Sequence, residues 1–353
     1  MKALYFSGKA GSGKTATALG LGIKLREAGL KISYFKPLGF KRGTVRKDDP
    51  DVLLMREVFD LPFSGDKISP VTLSAHYLTG GILKREDSQF TCIDEAFKQV
   101  SGGYDLTLVD GSIEPFVGYT LGLDDFSLAD RLKATVLPVF KTEDDFDLDR
   151  NLMHLNLWKK HGVSIAGSIF NNVSQAQWNK TGTVYKPLIE EKGFSVLGII
   201  PRRVEVSSPT VAEFYNALQG EILAAPDHMN RLVEEVVIGS MTTESALGYL
   251  RRAPNKVLIT GGDRSDMALT ALETSTSAII FTGGLYPDVR ILSRAEAKGV
   301  PVILVHEDTY TTVENLHTVY RSIDPQNTEA IKIVTENIEK HVDWKKVQSF
   351  LGF

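Results

Sequence analysis

Cysteine is almost missing from this chain: Cys92 stands alone. No intrachain disulfide and no multi-cysteine metal site can form. Long apolar runs are also lacking, and none approaches the roughly 18 residues of a membrane span. The N-terminus has one early lysine, Lys2, and passes straight into a strand pattern. No signal-peptide apolar region or cleavage site interrupts it. Neither sign of charge dominates, since 40 Lys and Arg stand against 44 Asp and Glu for a net charge of −4. That balance argues against a sequence-independent nucleic-acid surface. The expectation is a cytoplasmic protein with no nucleic-acid partner and no membrane partner. What remains is ordinary: 353 residues, 42% hydrophobic and 24% charged. Such a chain can bury a large core without disulfide staples, and two domains is the natural division.

The first half alternates short apolar runs with helical patterns. Strands are expected over 3–7, 31–36, 106–110, 134–140, 164–171 and 195–200, with helices over 15–28 and 148–161 between them. Nearly continuous apolar strands separated by helices imply a mainly parallel sheet covered on both faces. Beyond Pro201 the character changes. A helix is expected over 210–223, and a second α/β pattern follows with strands near 234–238, 256–260, 277–282 and 300–305. The spacing predicts domains over 1–204 and 205–325 and a charged helical tail over 326–353. Two segments of the second half echo each other. Thr260-Gly261-Gly262 leads to Asp266, and Thr282-Gly283-Gly284 leads to Asp288. They read as two similar strand-to-turn exits on one sheet edge. Asp263 and Arg264 read as a pair that shapes one of these turns, or as ligand-binding residues.

Gly8 to Thr15 reads G-K-A-G-S-G-K-T and satisfies the phosphate-loop pattern G-x-x-x-x-G-K-[ST] between a strand and a helix. Gly8, Gly11 and Gly13 let the backbone turn sharply, so that several N–H groups converge on one phosphate. Ser12, Lys14, Thr15 and Ala16 complete the cradle at the start of the helix, whose positive dipole end favours an anion. Lys14 reaches the β- and γ-phosphates, and the Thr15 hydroxyl ligates Mg²⁺. The expected cofactors are therefore ATP and Mg²⁺.

An acid is expected at the end of a strand beside this loop, and Asp110 closes the apolar run 104–109. A strand-end aspartate can also simply cap the next turn. Asp48, Asp49 and Asp51 follow the second strand. Asp51 is read as the start of a helix, where it can serve as the N-cap, as a metal-facing carboxylate, or as both. The acidic run Glu143–Asp149 reads as a helix start, with a secondary cation site as the alternative.

Lys9-Ala10-Gly11-Ser12-Gly13-Lys14-Thr15 resembles the deviant phosphate loop, K-x-G-x-G-K-T, of septum-site and partition ATPases and of dethiobiotin synthetase. In that class an early lysine reaches across a dimer, so the resemblance implies a homodimer and a role for Lys9 at the γ-phosphate. A lysine standing in solvent on a loop is the other reading. Phe35-Lys36-Pro37-Leu38 resembles the K-P-[VLI] motif of dethiobiotin synthetase, whose lysine faces substrate and γ-phosphate. Asp51–Val58 is similar to the dethiobiotin-synthetase-like N-terminal region of long phosphotransacetylases (phosphate acetyltransferases). Phe170-Asn171-Asn172-Val173 and Leu197-Gly198-Ile199-Ile200-Pro201 resemble that family's N-x-V and L-G-x-I-P segments. The resemblance makes Asn171 the reader of the base and Pro201 a wall beside it. Thr260–Asp266, Phe281–Leu285 and His306–Tyr310 resemble the DRTGG domain. Together these imply an α/β P-loop NTPase of dethiobiotin-synthetase type, followed by a smaller α/β DRTGG-like domain.

Two departures shape the functional expectation. Long phosphotransacetylases continue into an acyltransferase domain, whereas this sequence ends at Phe353. Acetyl transfer by this polypeptide alone is therefore not expected, while a separate acyltransferase partner is. The glycine-rich run of dethiobiotin synthetase is replaced here by Asp110-Gly111-Ser112-Ile113-Glu114-Pro115. Dethiobiotin synthesis is not expected either. Cys92 lacks the context of a glutaminase nucleophile, which argues against the related amidoligases. The expected function is a nucleotide-responsive regulatory module with slow ATPase activity. The alternative is an ATP-dependent ligase that activates a small carboxylate or carbamate as a phosphate anhydride. Either way, Lys9, Lys14 and Lys36 are the expected groups around the γ-phosphate, with metal at Thr15, Asp51 and Asp110.

Overall fold

A computed structural model describes residues 2–40, 49–79, 86–317 and 319–353. The chain forms two compact units, one of residues 1–202 with 322–353 and one of residues 203–321.

The first unit is built on β1 (Lys2–Ser7), β2 (Ile32–Phe35), β5 (Leu106–Asp110), β6 (Thr135–Phe140), β7 (Ser168–Val173) and β8 (Val196–Pro201). These pair in the order β2-β5-β1-β6-β7-β8, and every pairing is parallel. Two short strands, β3 (Leu38–Phe40) and β4 (Val71–Leu73), form a separate parallel ribbon that the sequence pattern did not signal. The central strands are buried on both faces. Leu4, Tyr5 and Phe6 of β1 are fully enclosed, each contributing about 1.5–3 kcal/mol of burial. One face packs Tyr5, Val109, Val136, Phe126 and Trp158, and another cluster gathers Phe140, Phe170, Leu155 and Ile189. From β1 the chain runs out on one side to β2 and β5, then crosses to β6 on the other. An open sheet holds its ligand crevice at the carboxyl ends of strands where the order reverses, and here that is the end of β1.

The helical tail belongs to this unit. The helix Thr328–His341 lies against the helix Lys14–Glu27 so closely that a Cβ on Gly20 would stand 2.7 Å from Ile338 and 2.8 Å from the Val334 carbonyl. Val342 bridges Gly198, and the Asp343 N–H donates to the Leu197 carbonyl (2.8 Å), which covers the β8 edge.

The second unit carries β9 (Glu221–Ala224), β10 (Glu235–Ile238), β11 (Lys256–Gly261), β12 (Thr276–Thr282) and β13 (Val302–Leu304) in the order β10-β11-β12-β13-β9. β10 to β13 are parallel, and β9 is antiparallel to β13, so the sheet is mixed. The helix expected over 210–223 is shorter, Val211–Leu218, and β9 follows it. Gln219 adopts a left-handed conformation (φ 52°), and a Cβ on Gly220 would lie 2.3 Å from the Leu304 carbonyl. A left-handed residue followed by a glycine ends a helix and brings the chain onto the sheet. The two Thr-Gly-Gly segments leave the same edge, at the ends of the neighbouring strands β11 and β12. Asp288 caps the helix Val289–Lys298 through the Arg290 N–H. Arg264 does not pair with Asp263; it bonds Asp266 and the Met241 carbonyl. Among the described residues, no helix is long and apolar enough to cross a membrane.

Candidate nucleotide-binding site

The loop after β1 sits on the carboxyl edge of the sheet. Gly8 is pressed onto β6, where a Cβ would fall 2.2 Å from the Val139 carbonyl. Gly13 (φ +81°) is the N-cap of the helix Lys14–Glu27, a position that no side chain caps. The amides opening that helix, at Lys14, Thr15 and Ala16, therefore have no intrahelical acceptor, and the dipole adds positive potential at the same point. Lys14 curls back over the loop, its Nζ donating to the carbonyls of Gly8 (2.7 Å) and Lys9 (3.3 Å). Burial lowers its pKa, against the pull of Asp110, Asp125 and Glu114. Ser12 is enclosed with its Oγ unpartnered, and its carbonyl accepts from Asn171 Nδ2 at 2.8 Å.

Three expected acid and hydroxyl groups meet beside this loop. Asp110, at the end of β5, accepts through Oδ2 from Thr15 Oγ1 (2.7 Å) and from the Tyr34 hydroxyl (2.9 Å). Its Oδ1 is buried with no partner. Burial raises the Asp110 pKa against the opposing charge of Lys36. Lys36 Nζ is held between Asp51 (2.6 Å) and Asp49 (2.8 Å). Burial works against its charge, but Asp51 and Asp49 override it and raise the pKa. At Asp51 burial opposes ionisation, and the Lys36 charge with the Thr15 hydroxyl brings the pKa down. The N-cap of the helix Pro50–Val58 is Asp49, which accepts the Asp51 N–H, so Asp51 itself is not the cap. Asp48 lies outside the described residues.

These groups suit a hard cation. Thr15, Asp51 and Asp110 offer oxygen only, and Asp110 Oδ1 is an acceptor with nothing to accept from. Among the described residues, no group of three or more His, Cys, Asp or Glu gathers to make an all-protein metal cage. A sparse oxygen set fits Mg²⁺, which keeps several waters and takes oxygens from phosphates.

Lys9 is neither free in solvent nor turned outward. Its Nζ bonds both Asp147 oxygens at 2.8 Å and stands 3.9 Å from Glu143. The acidic run is a helix start: Asp144 caps the helix Asp145–Lys160 through the Asp147 N–H. Pro201 ends β8 opposite Val173, and so shares its sheet edge with Asn171.

Several residues at this site gave no sequence signal. The Ala10 N–H donates to Glu114 Oε1 at 3.2 Å, so the segment after β5 touches the phosphate loop. Tyr34 steadies Asp110 from β2, and Asp147 holds Lys9 across 138 positions of sequence. Asp125, fully enclosed, binds Tyr5, Ser7 and Ser112. Tyr34 and Asp125 stand in no motif, while Asp147 lies in the acidic run and Glu114 in the segment after Asp110 without either pattern naming its partner; only the sheet order brings them here.

Residues 6–210 match the family model described as an AAA domain, and residues 213–319 match the DRTGG domain. The phosphate acetyltransferase of Nitrosomonas europaea is 27% identical over 349 residues, covering 94% of this chain and 49% of the relative. That of Pseudomonas aeruginosa is 24% identical over 369 residues, covering 97% of this chain and 51% of the relative. The chain spans about half the length of the curated relatives it matches, and the half it matches is their N-terminal part. Among solved structures, the MinD cell division protein of Aquifex aeolicus is 19% identical with a TM-score of 0.34, covering 57% of this chain and 83% of that one.

Proposed function

This chain belongs to the AAA-domain family, and from that premise we propose that it binds Mg²⁺-ATP on Gly8–Thr15 and acts as a nucleotide-responsive regulatory module with slow ATPase activity. The observation that carries this reading is the uncapped helix start at Gly13, roofed by Lys14 and flanked by Asp110 with its unpartnered oxygen. Phosphate oxygens satisfy the opening amides, and Lys14 leaves the carbonyls of Gly8 and Lys9 to meet them. Thr15, Asp51 and Asp110 hold Mg²⁺, which neutralises charge on the phosphates when bound. Asn171 and Pro201 flank the base. Lys9 and Lys36 stand ready as further positive groups, each now held by carboxylates.

The regulatory reading extends to the partners. The curated relatives are named phosphate acetyltransferases, so the proposed client is an acyltransferase in the cytoplasm, with this protein acting as a homodimer. The division we propose is a nucleotide domain over 1–204, a DRTGG-like sensor or dimer surface over 205–325, and a tail over 326–353. A ligase reading needs Lys36 free beside the γ-phosphate. Its two ion pairs, at 2.6 and 2.8 Å, weigh against that.

Calorimetric titration of Mg²⁺-ATP into wild type and Lys14→Ala, with phosphate release followed in the same samples, tests this. Binding lost in the variant, with only slow release by wild type, is the expected result. Brisk release that depends on Lys36 would favour the ligase. No binding by wild type would overturn the nucleotide reading.

A further inference from the structure

One carboxylate beside the site has no part in the reading above. Asp125 is fully enclosed and sits in the first turn of the helix Asp125–Arg131. A cap for that helix is the plain explanation of an acid there, but Asp124 already does that work. Its carboxylate takes the Ser127 N–H (3.1 Å) and hydroxyl (2.8 Å). The Asp125 carboxylate instead faces the sheet and collects three donors, two from β1 and one from the segment just after β5. Oδ1 accepts from the Tyr5 hydroxyl (2.9 Å) and from the Ser112 N–H (2.9 Å). Oδ2 accepts from Ser7 Oγ (2.6 Å). Ser7 is the residue immediately before Gly8, and Ser112 lies two residues after Asp110. Between them, Gly111 has no room for a side chain: a Cβ would stand 2.5 Å from Asp125 Oδ2 and 2.6 Å from the Phe6 carbonyl.

We propose that Asp125 is a positioning residue, a clamp that fixes the end of β1 against the exit of β5 and so sets the conformation of the phosphate loop. The proposal rests on the nucleotide reading for its effect on affinity, but the clamp itself is a property of the free protein. A buried carboxylate is costly unless its hydrogen bonds are made, and here all three bind the two segments that carry Gly8–Thr15 and Asp110. Removing the Asp125 carboxyl would leave the buried donors of Tyr5, Ser7 and Ser112 unpaired, which costs more than an ordinary hydrogen bond contributes. Losing these three bonds at one junction loosens the loop before it loosens the sheet.

The experiment compares amide hydrogen exchange in the full chain for wild type, Asp125→Ala, Asp125→Asn and Ser7→Ala, alongside Mg²⁺-ATP affinity. In Asp125→Ala, exchange over 8–16 and 111–115 should rise about tenfold or more, while β6 to β8 stay as in wild type. Asp125→Asn keeps an acceptor for Tyr5 and Ser112 and should recover most of the protection. Mg²⁺-ATP affinity should follow, weakened about tenfold in the alanine variant and restored in the asparagine variant. Unchanged loop exchange in Asp125→Ala, or an equal rise throughout the sheet, overturns the clamp. Should Asp125→Ala fail to fold, Ser7→Ala decides the matter: it should show a smaller rise in the same two segments, and none refutes the proposal. The expected exchange pattern in a wild type that binds no nucleotide would remove the proposed function and leave the clamp standing.

Discussion

Replacing Gly13 with alanine perturbs the phosphate loop at its tightest point. The residue has φ +81°, and its new Cβ would lie 2.2 Å from Asn171 Nδ2. Two costs follow. A left-handed alanine is strained by about 1–2 kcal/mol. The Asn171 amide must also move off the Ser12 carbonyl, which it meets at 2.8 Å, at a cost of about 1 kcal/mol. Together they give about 2–3 kcal/mol. The three tryptophans, Trp158, Trp178 and Trp344, all belong to the first unit, so their fluorescence reports its unfolding alone. With a urea dependence of about 2–3 kcal/mol per molar, the midpoint should fall by about 1 M. The costs should not add. Asn171→Ala removes the obstruction and the hydrogen bond, so Gly13→Ala in that background should cost only the strain. The double variant is expected to be about 1 kcal/mol more stable than the sum of the singles predicts. A midpoint shift under about 0.3 M, or strict additivity, would refute the account of this contact.

The other measurements concern buried charge and close backbone approach. Burial pushes Asp125 up to about 7 against its hydrogen bonds, so its stabilising effect is full below about pH 4 and lost as pH rises through about 7. Burial and Arg150 hold His154 down to about 4, so its effect is present above about pH 6.5 and lost as pH falls through about 4. Between about pH 4 and 7, Asp125→Asn should therefore remove a fall of the urea midpoint with rising pH, and His154→Gln should remove a rise over nearly the same range; slope changes of the same sign in both would refute these assignments. In the second unit, a Cβ on Gly262 would lie 1.8 Å from the Leu285 carbonyl. Gly262→Ala should destabilise that unit by about 3 kcal/mol, read as faster amide exchange in β11 and β12, and wild-type exchange would show that the turn can yield.

What could be read from the sequence was local. Gly8–Thr15 lies within eight positions and its geometry follows from its glycines, so both the motif and its place between strand and helix were visible. Asp110 was legible for the same reason, as the polar end of an apolar strand. The ribbon of β3 and β4 was not, because three-residue strands have no period to detect. The helix expected over 210–223 ends early, at Leu218, because Gln219, no helix breaker by composition, takes a left-handed turn set by the approach of Gly220 to Leu304. Long-range partners left no trace at all. Lys9 with Asp147, Asn171 with Ser12 and Asp125 with Ser7 are 138, 159 and 118 residues apart. Only the strand order, which places β1 between β5 and β6, makes them neighbours.

The return of the tail to the first unit has a consequence for synthesis. The helix that carries the phosphate loop is made early, yet the helix that covers it at Gly20 is Thr328–His341. Roughly 300 residues must emerge between them, which at about 5–20 residues per second takes some 15–60 s. Throughout that interval the helix Lys14–Glu27 exposes the flank meant for Val334 and Ile338. The second unit, residues 203–321, is meanwhile free to fold as a whole on the ribosome. A chain released before residue 328 would thus carry a finished second unit attached to a first unit still lacking its cover, and such a product is a natural substrate for chaperones and proteases.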